Sequence, residues 1–225
     1  MNKYRRIVIG DIHGCVKTLH KLLFHILNIQ KEDDIYFLGD YIDRGPSIKD
    51  VIDLILMLKE QDFKIYTLMG NHEKMLLDAY YLQNNWDLWN DNGCIFTLKS
   101  FGLVNIRELG QNYLDFFNNL EYYFNIDGFI LSHAGLNFNI DNPFEDKEAM
   151  LWSREYYVDK NKISGKRLVS GHSPHTLQQI HASLNADKIQ LDGGCVYLKK
   201  RPSLGYLCAL ELNSMTLYSQ LNIEE

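Results

Sequence analysis

Four cysteines in 225 residues, none in a CxxC pair, are too few and too scattered for a disulfide framework or a zinc template. Cys15, Cys94, Cys195 and Cys208 read as free thiols of a reducing compartment, so a cytoplasmic location is expected. No apolar run approaches the ~20 residues that a membrane-spanning helix needs. The most apolar helix-like stretch, Val51 to Leu58, is interrupted by Asp53. Met1 to Arg6 is polar, so neither a secretory leader nor a membrane partner is expected. Cations are not in excess: 23 Lys and Arg against 29 Asp and Glu leave a net charge of −6. Binding along a nucleic acid rests on neutralising phosphates, so no nucleic-acid partner is expected either. Repeats, low-complexity tracts and linkers are missing too, which leaves one domain over 1–225.

What is present is ordinary globular composition, 46% hydrophobic and 23% charged, in a chain long enough to bury a full core. Strand-like runs alternate with helical periodicity in the first third. Arg6–Ile9 runs into Gly10-Asp11-Ile12-His13-Gly14. Asp34–Leu38 runs into Gly39-Asp40, and Lys64–Met69 runs into Gly70-Asn71-His72-Glu73. Helices are predicted between these strands, with apolar stripes at Leu19, Leu22, Leu23, Ile26 and Leu27, and at Val51, Leu54, Ile55 and Leu58. In an α/β sheet, ligands bind beyond the carboxyl ends of the strands, so the three polar clusters should meet in space. Residues 74–111 read as a mostly helical, aromatic insertion or cap. Further strands are predicted at Phe129–Leu131, Arg167–Val169, Ile189–Leu191 and Gly205–Leu212, the last joined to Met215–Tyr218 by a hairpin at Asn213-Ser214.

The polar residues just past predicted strands are Asp11, His13, Asp40, Asp43, Arg44, Asn71, His72, His133 and His172. Carboxylate, amide and imidazole donors together suit Mn²⁺, Fe or Zn²⁺ rather than a thiolate-loving ion. There are enough of them for two ions, with an aspartate between. Two ions roughly 3.5–4 Å apart are a common device for phosphoester hydrolysis. A cysteine nucleophile is not indicated: Cys15 follows Gly14, but Val16 to Lys21 holds no arginine and so no CX5R loop.

Gly10-Asp11-Ile12-His13-Gly14, Gly39-Asp40-Tyr41-Ile42-Asp43-Arg44-Gly45 and Gly70-Asn71-His72-Glu73 resemble the signature motifs of the calcineurin-like metallophosphoesterases, and within them the phosphoprotein phosphatase branch of small bacterial and phage enzymes. Ser132-His133-Ala134-Gly135, Ser170-Gly171-His172-Ser173-Pro174 and Asp192-Gly193-Gly194-Cys195 resemble that family's later segments. The resemblance implies an α/β sandwich of two mixed sheets flanked by helices. It implies that Asp11, His13 and Asp40 hold one metal and that Asp40, Asn71, His133 and His172 hold the other. His72 would be the general acid and Asp43 its orienting partner, while Arg44 and Arg154 (in Leu151-Trp152-Ser153-Arg154) would bind phosphate with Asn71 and His72. Met69 stands where many relatives carry arginine. The cofactor implied is two divalent ions, Mn²⁺ first, with Fe or Zn²⁺ as alternatives. The substrate implied is a phosphorylated protein or peptide, on serine or threonine and conceivably tyrosine. The alternative is a symmetric dinucleoside tetraphosphate or another nucleotide phosphoester on the same core. Stacking aromatics with extra cations would mark the second class. The cap offers aromatics but only Lys74, Lys99 and Arg107, which favours the phosphoprotein.

The remaining candidates read as architecture. His20 and His25 read as helix-surface or partly buried residues; His175 and His181 follow the last histidine motif, and His175 reads as loop packing, with lining the site as the alternative. Tyr80, Tyr81, Trp86 and Trp89 read as core, with a groove wall as the alternative. Lys199, Lys200 and Arg201 read as a solvated loop, and Glu224-Glu225 as a frayed end.

Overall fold

The computed structural model describes residues 4–82 and 86–224. Part of the expected cap (83–85), the polar start (1–3) and the last residue of the expected frayed end lie outside the described residues. The strands are β1 (Arg6–Ile9), β2 (Asp34–Phe37), β3 (Lys64–Thr67), β4 (Tyr123–Ile126), β5 (Phe129–Ser132), β6 (Arg167–Ser170), β7 (Lys188–Gln190), β8 (Tyr206–Glu211) and β9 (Thr216–Leu221). They form two mixed sheets, in the orders β3-β2-β1-β8-β9 and β4-β5-β6-β7. β1 to β3 are mutually parallel, as are β5 to β7; β8 and β4 join their sheets antiparallel. The predicted β8–β9 hairpin is present.

Successive strand side chains point to opposite faces, and in β1, β2, β5, β6 and β8 both faces are covered, so these strands read as largely apolar runs. Ile7 and Ile9 of β1, Ile35 and Phe37 of β2, and Leu207 and Ala209 of β8 enter the core shared with the helices. Their neighbours Val8, Tyr36, Leu38, Cys208 and Leu210 pack instead against Leu131, Val169 and Ile189 of the second sheet. Each such fully buried aliphatic side chain contributes about 2–3 kcal/mol. The far face of the second sheet is closed by Ile130, Met150, Ile163 and Leu168.

Eight α-helices are described: α1 (Val16–Lys21, continued by a π turn), α2 (Ile48–Glu60), α3 (Asn71–Leu82), α4 (Trp86–Asp91), α5 (Cys94–Phe101), α6 (Gln111–Asn118), α7 (Lys147–Trp152) and α8 (Leu177–Ser183). Of these, α1 and α2 lie in the crossovers between parallel strands of the first sheet, and α7 and α8 in those of the second. None is long and apolar enough to cross a membrane. Between Lys74 and Gln111 lie most of α3 and all of α4 and α5. Gly93 (φ 106°) and Gly102 (φ 68°) bound α5 in the left-handed region that glycine enters without a Cβ penalty. β4 is the strand that the sequence pattern does not announce. It is a four-residue edge strand in which Phe124 and Ile126 are half-buried against the inter-sheet core and Tyr123 and Asn125 are exposed. Parallel strands end on the same side, so the loops after β1, β2 and β3 share one edge and those after β5, β6 and β7 another.

Away from those edges, Arg5 ties the start of β1 to the turn before β2. The Arg5 guanidinium donates to Asp33 at 3.1 Å and 2.5 Å and to Leu27 O at 2.9 Å, while Gln30 N–H donates to Asp33 at 2.9 Å. Burial pushes the Asp33 carboxyl up, but Arg5 and the Gln30 N–H outweigh it and hold it below its ordinary value. A depressed carboxyl stabilises the fold above the unfolded pKa of about 3.9 and loses that contribution as pH falls through the folded value. Asp33→Ala is expected to cost about 1–3 kcal/mol at pH 7. The gap from wild type should narrow as pH falls below about 4. Urea unfolding across pH checks this; a gap that does not change with pH would assign the effect to packing.

Candidate active site

The structure brings the strand-end residues together. The loop after β1 carries Asp11 and His13, and the loop after β2 carries Asp40, Asp43 and Arg44. The first turn of α3 carries Asn71, His72 and Glu73, and His133 and His172 follow β5 and β6. Asp40 sits at the centre. Its Oδ2 lies 3.4 Å from His13 Nε2 and 3.9 Å from His72 Nε2, and its Oδ1 lies 3.4 Å from His133 Nε2. His13, Asp40 and His72 form one potential metal-binding group, and Asp40, His133 and His172 form another, with Asp40 common to both. All are buried. Five non-glycine residues here adopt positive φ: His13 (46°), Asp40 (52°), Asp43 (65°), Arg44 (67°) and His172 (68°). Strain of this kind persists only where surrounding contacts over-determine the backbone.

Those contacts are specific. The Glu73 carboxylate accepts the backbone N–H of Asp40 (2.9 Å), Tyr41 (2.8 Å), Ile42 (3.2 Å) and Gly70 (3.0 Å). A single buried side chain therefore pins the β2 loop to the start of α3. Gly70 must be glycine, because a Cβ there would lie 2.2 Å from Asp40 Oδ1 and 2.4 Å from Asp40 N. Gly171 is equally constrained, with a Cβ position 2.0 Å from Asp11 Oδ1.

Tautomers show what the centre is built to hold. His13 Nδ1 lies 2.7 Å from Ile42 O and His133 Nδ1 lies 2.8 Å from Leu38 O. A carbonyl can only accept, so in each neutral ring the proton sits on Nδ1 and Nε2 presents a lone pair toward Asp40. Burial pushes both imidazoles below their ordinary value, and His172 down to about 3, so all three rings are neutral at pH 7. Asn71 Oδ1 lies 3.0 Å from His133 Nε2 and 3.1 Å from His172 Nδ1. The buried atoms Asp11 Oδ1, His72 Nε2 and His172 Nε2 have no hydrogen-bond partner. Lone pairs thus converge with few protons between them, which is unfavourable unless cations sit among them. Two of the carboxyls agree: burial, then Asp192 and Asp40, pushes Asp11 well up, and burial pushes Asp192 up to about 7, whereas at Asp40 burial is outweighed by the surrounding histidines, which hold the carboxyl well below its ordinary value. Asp11 Oδ2 accepts the His172 N–H at 2.9 Å, leaving only Oδ1 for a metal. The donor set fits two divalent ions.

His72 presents Nε2 to the centre and Nδ1 to the other side. Its Nδ1 donates to Asp43 at 2.6 Å. Asp43 also accepts from Trp89 Nε1 at 2.9 Å and from the Thr97 hydroxyl, while Thr97 Oγ1 accepts the Asp43 N–H at 3.1 Å. Arg44 donates to His13 Nε2 at 2.7 Å, so the guanidinium and a metal ion compete for one lone pair. Arg154 reaches the rim by a bond to Ser173 Oγ at 3.4 Å. His175 sits nearby, its Nε2 3.3 Å from the Tyr156 hydroxyl, as loop packing predicts. Met69 is buried in the apolar core.

Sequence reasoning misses three contributors. Glu73 was visible only as the residue after His72. Trp89 reads as core, and it is fully buried, but its indole N–H serves Asp43. Thr97 gives no signal, since the cap delivers it from 54 residues away. Trp89→Phe removes one donor to Asp43 and keeps most of the volume. It is expected to lower kcat about 10–100-fold, the cost typical of outer partners of a site, with metal content as in wild type. Turnover together with metal analysis of the purified variant checks this; loss of metal would show that the indole supports the whole centre instead.

The chain is 38% identical over 86 residues to serine/threonine-protein phosphatase 1 of Salmonella typhimurium, covering 38% of this chain and 37% of that one. It is 24% identical over 224 residues to the asymmetrical bis(5'-nucleosyl)-tetraphosphatase PrpE of Oceanobacillus iheyensis, covering 86% and 85%. Matches to other serine/threonine phosphatases and a symmetrical tetraphosphatase span only 26–39% of those relatives' length. A solved protein serine/threonine phosphatase from Saccharomyces cerevisiae superposes with a TM-score of 0.68 at 15% identity, over 100% of this chain and 82% of that one, which supports the shared fold. Residues 4–207 match the calcineurin-like phosphoesterases, and the chain belongs to that family.

Proposed function

We propose that this chain hydrolyses a phosphoester using a pair of divalent metal ions and a histidine acid. The observation that carries this is the convergence of neutral imidazole lone pairs, the Asn71 amide oxygen and carboxylates on Asp40. His13, Asp40 and Asp11 would hold one ion, and Asp40, Asn71, His133 and His172 the other. When bound, such ions polarise the phosphoryl group and lower the pKa of an attacking water. Mn²⁺ suits the mixed nitrogen and oxygen donors, as do Fe and Zn²⁺.

The remaining residues manage charge and protons. Arg44 and Arg154 supply planar forks that fit phosphate oxygens. His72 protonates the leaving oxygen from Nε2, the buried atom left without a partner. Asp43, held by Trp89 and Thr97, stabilises the imidazolium before the transfer and fixes its orientation.

Two substrate classes share this machinery. A phosphorylated serine or threonine protein is supported by the Salmonella relative and by the preference drawn from cap composition. A nucleotide polyphosphate is supported by a relative that matches over most of its length and by cations the cap count does not include. Lys199 and Lys200 line cavities that also contain Arg44 and the cap residue Phe96. The shortage of cations between Lys74 and Gln111 is therefore not a shortage at the site.

EDTA treatment is expected to abolish turnover and Mn²⁺ to restore it. His72→Asn should keep its metals and lose about 10²–10⁴-fold in kcat on phosphoserine. The loss should be much smaller on p-nitrophenyl phosphate, whose leaving group needs no proton. Equal losses on the two substrates would remove His72 from the acid role.

A further inference from the structure

Arg44 faces two ways. Its NH1 touches His13 at the candidate metal centre, and its guanidinium carbon stands 5.6 Å from the centre of the Tyr197 ring. Two cavities open on that side, of about 300 and 460 Å³, sharing Arg44, Phe96 and Val196 as walls. Lys199 lines the first and Lys200 the second. Arg201 lies over the same tyrosine at 5.9 Å. A chain with a net charge of −6 thus gathers four cations within one short stretch of surface leading away from the centre.

Two acidic residues line the cavities as well. Glu224 is spent on Thr18, accepting its N–H at 2.9 Å and its hydroxyl at 3.0 Å. Asp91 lies on the outer wall, an acceptor that suits an exocyclic amine. Phe96 is 46% exposed, leaving an aromatic surface open, whereas the Tyr197 ring already carries guanidinium groups. Cavities of this size admit one nucleotide moiety and not a folded partner.

We infer that this groove is the specificity subsite for the distal half of a dinucleoside polyphosphate. Lys199 and Lys200 meet the phosphates beyond the scissile one, and a base lies against Phe96 with its amino group toward Asp91. Aromatic stacking with cations alongside accepts any base, so this arrangement selects nucleotides as a class. A phosphopeptide with neutral flanks would leave both lysines without partners. The inference rests on the nucleotide reading of the site and names the residues that would enforce it.

The test compares kcat/KM for diadenosine tetraphosphate, a phosphoserine peptide and p-nitrophenyl phosphate, all with Mn²⁺. The proteins are wild type, Lys199→Ser/Lys200→Ser and Phe96→Ala. For the dinucleotide, kcat/KM is expected to fall about 10–100-fold in each variant, mainly through KM, as expected for a lost stacking or charge contact. For p-nitrophenyl phosphate, too short to enter the groove, the change should stay within about threefold. Equal losses on both substrates would make the residues structural and overturn the inference. A loss confined to the phosphopeptide would reassign the groove to acidic protein substrates. Calorimetric binding of diadenosine tetraphosphate to His72→Asn, with and without the lysine substitutions, reads the groove without turnover. If wild type cleaves none of the three, the hydrolase reading fails. The groove then stands only if dinucleotide binding still depends on the lysines, and falls if it does not.

Discussion

A buried carboxylate that meets neither metal nor substrate holds this site in shape. Glu73 takes four backbone N–H groups, three of them from consecutive residues of the loop after β2. Non-glycine residues in the left-handed region cost about 1–2 kcal/mol each. Asp40, Asp43 and Arg44 all adopt it within five positions. Four hydrogen bonds to a buried side chain that cannot reach water offset that cost. The outcome is a loop that points Asp40 into the centre, Asp43 toward His72 and Arg44 toward His13. Burial, followed by the charge of Asp40, pushes Glu73 up to about 8, so two acids stand almost back to back. Divalent ions beside Asp40 would relieve that repulsion as well as the lone-pair crowding among the histidines.

Much of this was legible before folding, and the reason is geometric. A parallel strand delivers its next residues to the same edge as its neighbours do. The glycine-flanked clusters after β1, β2 and β3 could therefore be placed together from periodicity alone. The hairpin at Asn213-Ser214 is visible in the strand pattern, whereas the pairing of two sheets is implied only by the family resemblance, periodicity giving no more than α/β. β4 is a four-residue edge strand in which only Phe124 and Ile126 are half-buried, too short a signal to stand out.

What stayed hidden came from tertiary placement. Trp89 obeys the expectation of a buried aromatic, yet its single polar atom finds Asp43, and no pattern of apolar residues encodes that direction. Thr97 is one threonine among many until α5 carries its hydroxyl to the same carboxylate. The 74–111 segment thus supplies two of the donors that hold Asp43, the partner of His72. The same helices, α4 and α5, carry Trp89 and Thr97 to Asp43 and Asp91 and Phe96 to the neighbouring cavities.

Charge illustrates the same limit from the other side. Counting cations by segment assigns Lys199, Lys200 and Arg201 to a solvated loop and leaves the cap poor in positive charge. Electrostatic attraction depends on distance in space, and the loop after β7 lies against Phe96 across from Arg44. The phosphoester chemistry is fixed by strand ends that the fold cannot move without losing its sheets. Two surface elements, the 74–111 segment and the loop preceding β8, line the cavities beside Arg44 and lie outside the group around Asp40. A shared core with different substrates across relatives is what such a division of labour produces.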